Sequence, residues 1–96
     1  MLQNGNLTID FHRAKIFLND REIFLTMMEY KFLLLLANNI GDAVSRDEIM
    51  KEMQLGMNNL SNLVSRIRHK IGKDFIQTQR NMGTYLMPYI QVDPAE

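Results

Sequence analysis

The stretch NLSNLVSRIRHKIG, residues 59–72, decides how the chain is read. Its apolar residues Leu60, Leu63, Val64, Ile67 and Ile71 are spaced 0, 3, 4, 7 and 11, which at about 100° per residue gathers them on one stripe of a helix. On the same wheel, with Leu60 at zero, Asn62, Ser65, Arg66 and His69 fall at about 200°, 140°, 240° and 180°. These four face away from the stripe, with Arg68 and Lys70 on its two flanks. The outward face carries amide, hydroxyl, guanidinium and imidazole groups and no carboxylate, whereas a merely solvated helix mixes in Asp and Glu. Two readings follow. Either basic residues collect near a helix C-terminus, where the helix dipole favours them, or the face presents donors to a duplex. Arg forks onto guanine N7 and O6, Asn onto adenine N6 and N7, and Ser onto base edges or phosphate.

Charge places this stretch in an unusual third of the chain. Over all 96 residues the 11 basic and 11 acidic side chains cancel. Residues 1–57 hold six Lys/Arg against eight Asp/Glu, but residues 58–90 hold Arg66, Arg68, Lys70, Lys73 and Arg80 against Asp74 alone. A local basic surface matters more for a polyanionic partner than the sum does. With 46% hydrophobic and 23% charged residues the chain has the composition of a folded domain, and its length predicts one domain over 1–96 with one modest core. The absence of cysteine excludes disulfides and thiolate chemistry. The longest apolar run, Phe32 to Ala37, is far short of the roughly 20 residues of a membrane span, so the expectation is a cytoplasmic protein with no membrane partner.

Outward from the opening helix, the flanking elements take shape. Thr26-Met27-Met28-Glu29 stands ahead of an apolar run in the pattern where hydroxyl and carboxylate satisfy free amides at a helix start, predicting a first helix over about Met27 to Asn38. Ser45-Arg46-Asp47-Glu48 repeats the signal and predicts a second helix to about Met53, after a turn at Gly41-Asp42. Gly56 breaks the pattern, Asn58 or Asn59 caps the third helix, and Gly72 closes it in the left-handed position. Upstream, the alternations Leu7-Ile9-Phe11, Ile16-Leu18 and Ile23-Leu25, punctuated by His12-Arg13 and Asn19-Asp20-Arg21, predict a half-buried antiparallel sheet. Downstream, Phe75–Gln79 and Thr84–Met87 flank Arg80-Asn81-Met82-Gly83, a hairpin signal. The predicted order is strands, three helices and a hairpin. A donor-bearing helix followed by a hairpin with an arginine at its tip matches an α+β winged helix-turn-helix.

Catalytic arrangements find little support. His12 lies in a turn and His69 on a helix face without neighbouring Cys, Asp or Glu, so neither builds a triad or a metal cluster. Asp47 and Glu48 fall in a helix first turn, where the dipole accounts for them. Neither enzyme activity, cofactor nor metal is expected. The eight methionines read as core filling.

At this point the sequence resembles the winged-helix DNA-binding effector domain of the OmpR/PhoB family of bacterial response regulators. The resemblance covers nearly the whole chain and rests on FLTMMEYKFLLLLANNIGDAVSRDEIM, on LVSRIRHKIG and on IQTQRNMGTY, in that order. It implies a four-stranded N-terminal sheet, three helices and a C-terminal hairpin, with helix 59–72 in the major groove and hairpin 75–87 at the minor groove. It further implies sequence-specific binding of double-stranded DNA within a two-component transcriptional regulator. Carried over by position, Arg66 and Arg68 are the recognition-helix arginines with Ser65 beside them, Thr78 is a hydroxyl that contacts backbone, Arg80 is the wing arginine, and Arg46 reaches phosphate. Asn62 and His69 join the set from the wheel. Within it, Ser65 and Arg66 are read as meeting base edges and Arg68 as serving phosphate. Glu29 and Ser45 stay structural, through their capping roles.

The sequence departs from the family in places. It has no Trp at the end of helix two, its Gln54–Asn58 loop is short, and Ser61 or Asn62 stands where an acid is common. The wing reads Gly83-Thr84-Tyr85, which is compatible with two registers one residue apart. The resemblance implies RNA polymerase as a further partner, met in the family through the loop that is short here, Gln54–Asn58. A receiver domain is not encoded in these 96 residues, and the start LQNGNL predicts a fragment of a longer response regulator. One domain offers one half-site, so a second copy on promoter repeats is expected. The rival reading is a winged helix used for protein–protein contacts.

Overall fold

The computed structural model describes residues 1–54 and 57–89, and it divides into a sheet unit, residues 1–24 with 88–89, and a helical unit, Leu25–Met87. The predicted Gly56 break lies outside the described residues.

In the sheet unit, β1 (Leu2–Asn4), β2 (Leu7–Asp10), β3 (Lys15–Leu18) and β4 (Arg21–Ile23) form an antiparallel meander in chain order. The register Ile9↔Ile16 and Leu7↔Leu18 sets the alternate apolar residues on one face, where Leu7, Ile9 and Ile16 are fully buried. Asn19 and Asp20 both adopt positive φ, the backbone twist that a two-residue hairpin needs. The Asp10 carboxylate accepts from the amides of His12 and Arg13 and turns the chain out of β2. Phe11, counted in the alternation, therefore lies in that turn and is exposed, and Leu25 lies beyond β4. β1, whose apolar content is slight, is legible only through the family resemblance. Its buried Asn4 accepts from the Tyr89 amide, and Gly5 donates to the Tyr89 carbonyl at 3.0 Å, so the end of the described chain is stitched to the first turn.

In the helical unit, α1 (Met27–Ala37) begins with the full predicted capping box. Thr26 Oγ1 accepts from the Glu29 amide at 3.2 Å and Glu29 Oε1 accepts from the Thr26 amide at 2.9 Å. α2 (Arg46–Met53) starts at Ser45, whose Oγ accepts from the Glu48 amide. α1 packs against α2, α3 and the second strand of the hairpin, burying Phe32, Leu33, Leu36, Ile49, Leu63, Ile67, Ile76 and Leu86 completely. Each such side chain contributes about 1.5–3 kcal/mol by leaving water.

α3 spans Met57–Ile71, so it begins two residues earlier than predicted, and Asn58 and Asn59 lie inside it rather than capping it. A capping preference is worth only about 1 kcal/mol and yields readily to the surrounding fold. The C-terminus ends as expected at Gly72, with φ +96° and its amide donating to the Arg68 carbonyl. The wing is β5 (Ile76–Gln79) paired antiparallel with β6 (Gly83–Leu86). Its register pairs Gln79 with Gly83 and Thr78 with Thr84, placing Gly83 within the strand. Val44 and Thr84 exchange two backbone hydrogen bonds, 2.8 and 2.9 Å, which fix the wing to the residue just before the α2 cap.

Candidate nucleic-acid interface

The apolar stripe of α3 does what its spacing predicts. Leu60, Leu63, Ile67 and Ile71 are buried and Val64 is half-buried, which turns Asn62, Ser65, Arg66 and His69 to solvent. Arg46 is exposed at the first residue of α2, and Thr78 and Arg80 are exposed on the wing. A groove of about 1490 Å³ runs between the start of α2, the face of α3 and the wing, and Arg46, Ser65, Arg68, His69, Thr78 and Arg80 all line it. Asn62 and Arg66 are not in its lining and stand on the neighbouring exposed part of α3. Four basic side chains, Arg46, Arg68, Lys73 and Arg80, line the groove against one carboxylate, Asp47. Such a concave surface concentrates positive potential.

Three of the predicted residues, Arg66, Arg68 and Thr78, are already engaged. Arg68 donates from Nε at 3.1 Å and from Nη2 at 2.9 Å to the Ile76 carbonyl, and from Nη2 at 3.3 Å to Thr78 Oγ1. Its half-buried guanidinium therefore ties α3 to the first wing strand and positions the Thr78 hydroxyl. Arg66 lies 3.5 Å through Nε from Glu29 Oε2, while its side chain remains 60% exposed.

Glu29 is the residue whose part the sequence reading understated. It occupies the first place of the α1 stripe 29, 32, 33, 36, and it is completely buried. Oε1 is shared by the Thr26 amide and by Lys70 Nζ at 2.6 Å, and Oε2 has no hydrogen-bond donor and faces Arg66. Burial pushes the carboxyl pKa up, but the Lys70 hydrogen bond, the Thr26 amide and the charges of Lys70 and Arg66 outweigh it and hold it below the ordinary carboxylate value. An acid at an apolar position of a core stripe, with basic residues on a later helix, is the signal that points to such a pair. Lys73 was also passed over as a groove residue, although it belongs to the basic third of the chain.

A helix pair whose second member shows a donor face, closed by a hairpin bonded back to the pair, defines a winged helix-turn-helix. Residues 20–86 match the family model described as transcriptional regulatory protein, C terminal, and the chain belongs to that family, the OmpR/PhoB type it resembles. It is 34% identical over 85 residues to the transcriptional regulatory protein VxrB of Vibrio cholerae, which covers 82% of this chain and 34% of the relative. Against the transcriptional regulatory protein PmrA of Pectobacterium parmentieri it is 30% identical, covering 90% of this chain and 40% of the relative. The chain thus spans about a third to two fifths of the length of these curated relatives. Among solved structures, the Klebsiella pneumoniae RstA DNA-binding domain in complex with the RstA box superposes with a TM-score of 0.82 at 25% identity, over 91% of this chain and 96% of that one. The response regulator DrrB of Thermotoga maritima, an OmpR/PhoB homologue, superposes with a TM-score of 0.83 at 26% identity, over 90% of this chain and 43% of that one.

Proposed function

We propose that the 96 residues act as one effector domain that binds double-stranded DNA sequence-specifically for a bacterial two-component transcriptional regulator. The observation that carries this reading is the carboxylate-free outer face of α3 beside a basic groove that also receives the wing. The RstA domain, similar in fold and in sequence, was solved on its DNA box, which supports the same ligand here. α3 enters the major groove, where Arg66 and Ser65 meet base edges with Asn62 and His69 beside them. The wing lies at the minor groove with Arg80 at its tip. Arg46 takes phosphate at the start of α2, where the helix end itself favours an anion. Arg68 and Thr78 act together, the arginine holding the hydroxyl toward the backbone.

The chemistry is recognition without catalysis: phosphate contacts set the register and base contacts select the sequence. A second copy on a neighbouring half-site multiplies the specificity that one domain supplies, and RNA polymerase is the further partner that the family resemblance implies. The work is cytoplasmic; among the described residues no helix is long and apolar enough to cross a membrane.

Binding to an operator selected from a randomised duplex pool, followed by fluorescence anisotropy across a salt series, tests this directly. Affinity is expected to fall with log salt at a slope of about 0.9 per neutralised phosphate. Arg66→Ala should cost about 1–3 kcal/mol and relax the preference at one base position, whereas Arg80→Ala should weaken binding across sequences. If no duplex is enriched, or both variants bind as the unaltered chain does, the DNA reading fails and a protein-binding winged helix takes its place.

A further inference from the structure

The buried carboxylate beneath α3 is more than a helix cap. A capping box needs one Glu oxygen, and Glu29 Oε1 fills that need with the Thr26 amide while also taking Lys70. The second oxygen, Oε2, is buried, receives no hydrogen bond, and faces the Nε of Arg66 at 3.5 Å. A buried carboxylate oxygen without a donor is costly, so a cation opposite it is favoured. The rest of the Arg66 side chain is 60% exposed on the outer face of α3. We propose that Glu29 is a positioning residue for base reading: through Oε2 it holds Arg66 by Nε, leaving the two Nη groups as an outward fork for a guanine edge. The inference rests on the assignment of Arg66 as a base reader given above.

The consequence differs from that of a structural support. An arginine held at Nε has lost rotamer freedom before DNA arrives, so its fork meets a matched base at lower entropic cost. The same carboxylate works against phosphate binding, because it sets a negative charge beneath a face that must meet a polyanion. Removing the charge should therefore lower discrimination while leaving non-specific affinity unchanged or raised. Loss of folding would lower both together.

The experiment uses the selected operator, the same operator with each base pair changed in turn, and poly(dI-dC), with the unaltered chain, Glu29→Gln, Arg66→Ala and the double variant. Gln keeps the capping acceptor and removes the charge. The ratio of operator to poly(dI-dC) affinity is expected to fall roughly fivefold or more in Glu29→Gln, at the base position that Arg66→Ala also relaxes. The double variant should fall no further than Arg66→Ala alone, since the two act as one unit. An unchanged ratio, or operator and poly(dI-dC) affinities that drop equally, overturns the proposal. Should Glu29→Gln fail to fold, ¹⁵N relaxation of the Arg side chains in the unaltered chain decides the matter. Arg66 Nε–Hε rigid relative to Arg80 supports the tether, and equal mobility overturns it. If Arg66→Ala leaves operator affinity intact, the assignment of Arg66 itself is refuted, an outcome distinct from an intact Arg66 effect that ignores Glu29.

Discussion

Gly83→Ala should detach the wing from the helix pair. Gly83 has φ +131°, and a Cβ added there would overlap the Val44 carbonyl oxygen and come within 2.5 Å of Val44 C and 2.9 Å of Ser45 Cα. All three are backbone atoms, fixed by the Val44–Thr84 bridge and by the cap of α2, so no side-chain rotation relieves the clash. Retreat of the wing breaks the two bridge hydrogen bonds, at about 1 kcal/mol each, and holding the backbone conformation adds roughly 1–2 kcal/mol. The expected loss is roughly 3–4 kcal/mol, a large fraction of the 5–15 kcal/mol typical of such domains. Urea denaturation followed by circular dichroism measures it, with hydrogen exchange at the Val44 and Thr84 amides reporting the bridge. Gly72→Ala is the internal control: its φ is +96° but nothing lies within 4 Å of the added Cβ, so it carries strain without collision and should cost only about 1 kcal/mol. If the two variants lose equal stability, and the Val44 amide stays protected in Gly83→Ala, the close approach is not what holds the wing.

Two other substitutions test separate links. Arg68→Ala removes the guanidinium that bonds Ile76 and Thr78, and should cost about 1.5–3 kcal/mol of stability while mobilising β5; Arg68→Lys, lacking the fork, should recover only part of it in the same urea experiment. Glu29 gives a pH signature. Its folded pKa lies below the ordinary value of 4.5, so its contribution to stability is present above that value and is lost as pH falls from there through the folded pKa. Thermal melts from pH 7 to 3 should show the unaltered chain and Glu29→Gln converging in acid; a gap that stays constant would mean the carboxylate is not stabilised by its cations.

Much of this molecule is settled within short windows of sequence. Thr26 and Glu29 are three residues apart, as are Ser45 and Glu48, and those hydrogen bonds form inside a single turn of helix, so their partners can be read directly. The α3 stripe is equally local, because a fixed rotation per residue converts spacing into a face; the exposure of Asn62, Ser65, Arg66 and His69 follows from it. Tertiary structure decided what is done with the charges. Lys70 reaches Glu29 across 41 residues and Arg68 reaches the wing across eight, and such pairings depend on how α1, α3 and β5 pack, which no periodicity encodes. α3 also starts at Met57, ahead of both asparagines expected to cap it, because a capping preference of about 1 kcal/mol yields to the surrounding fold. The sequence by itself therefore determined which face of α3 is left to solvent. Only the packed structure decided that Arg68 is committed to holding the wing and that Arg66 stands over a buried carboxylate, because an ion's role is set by the neighbours that replace its water.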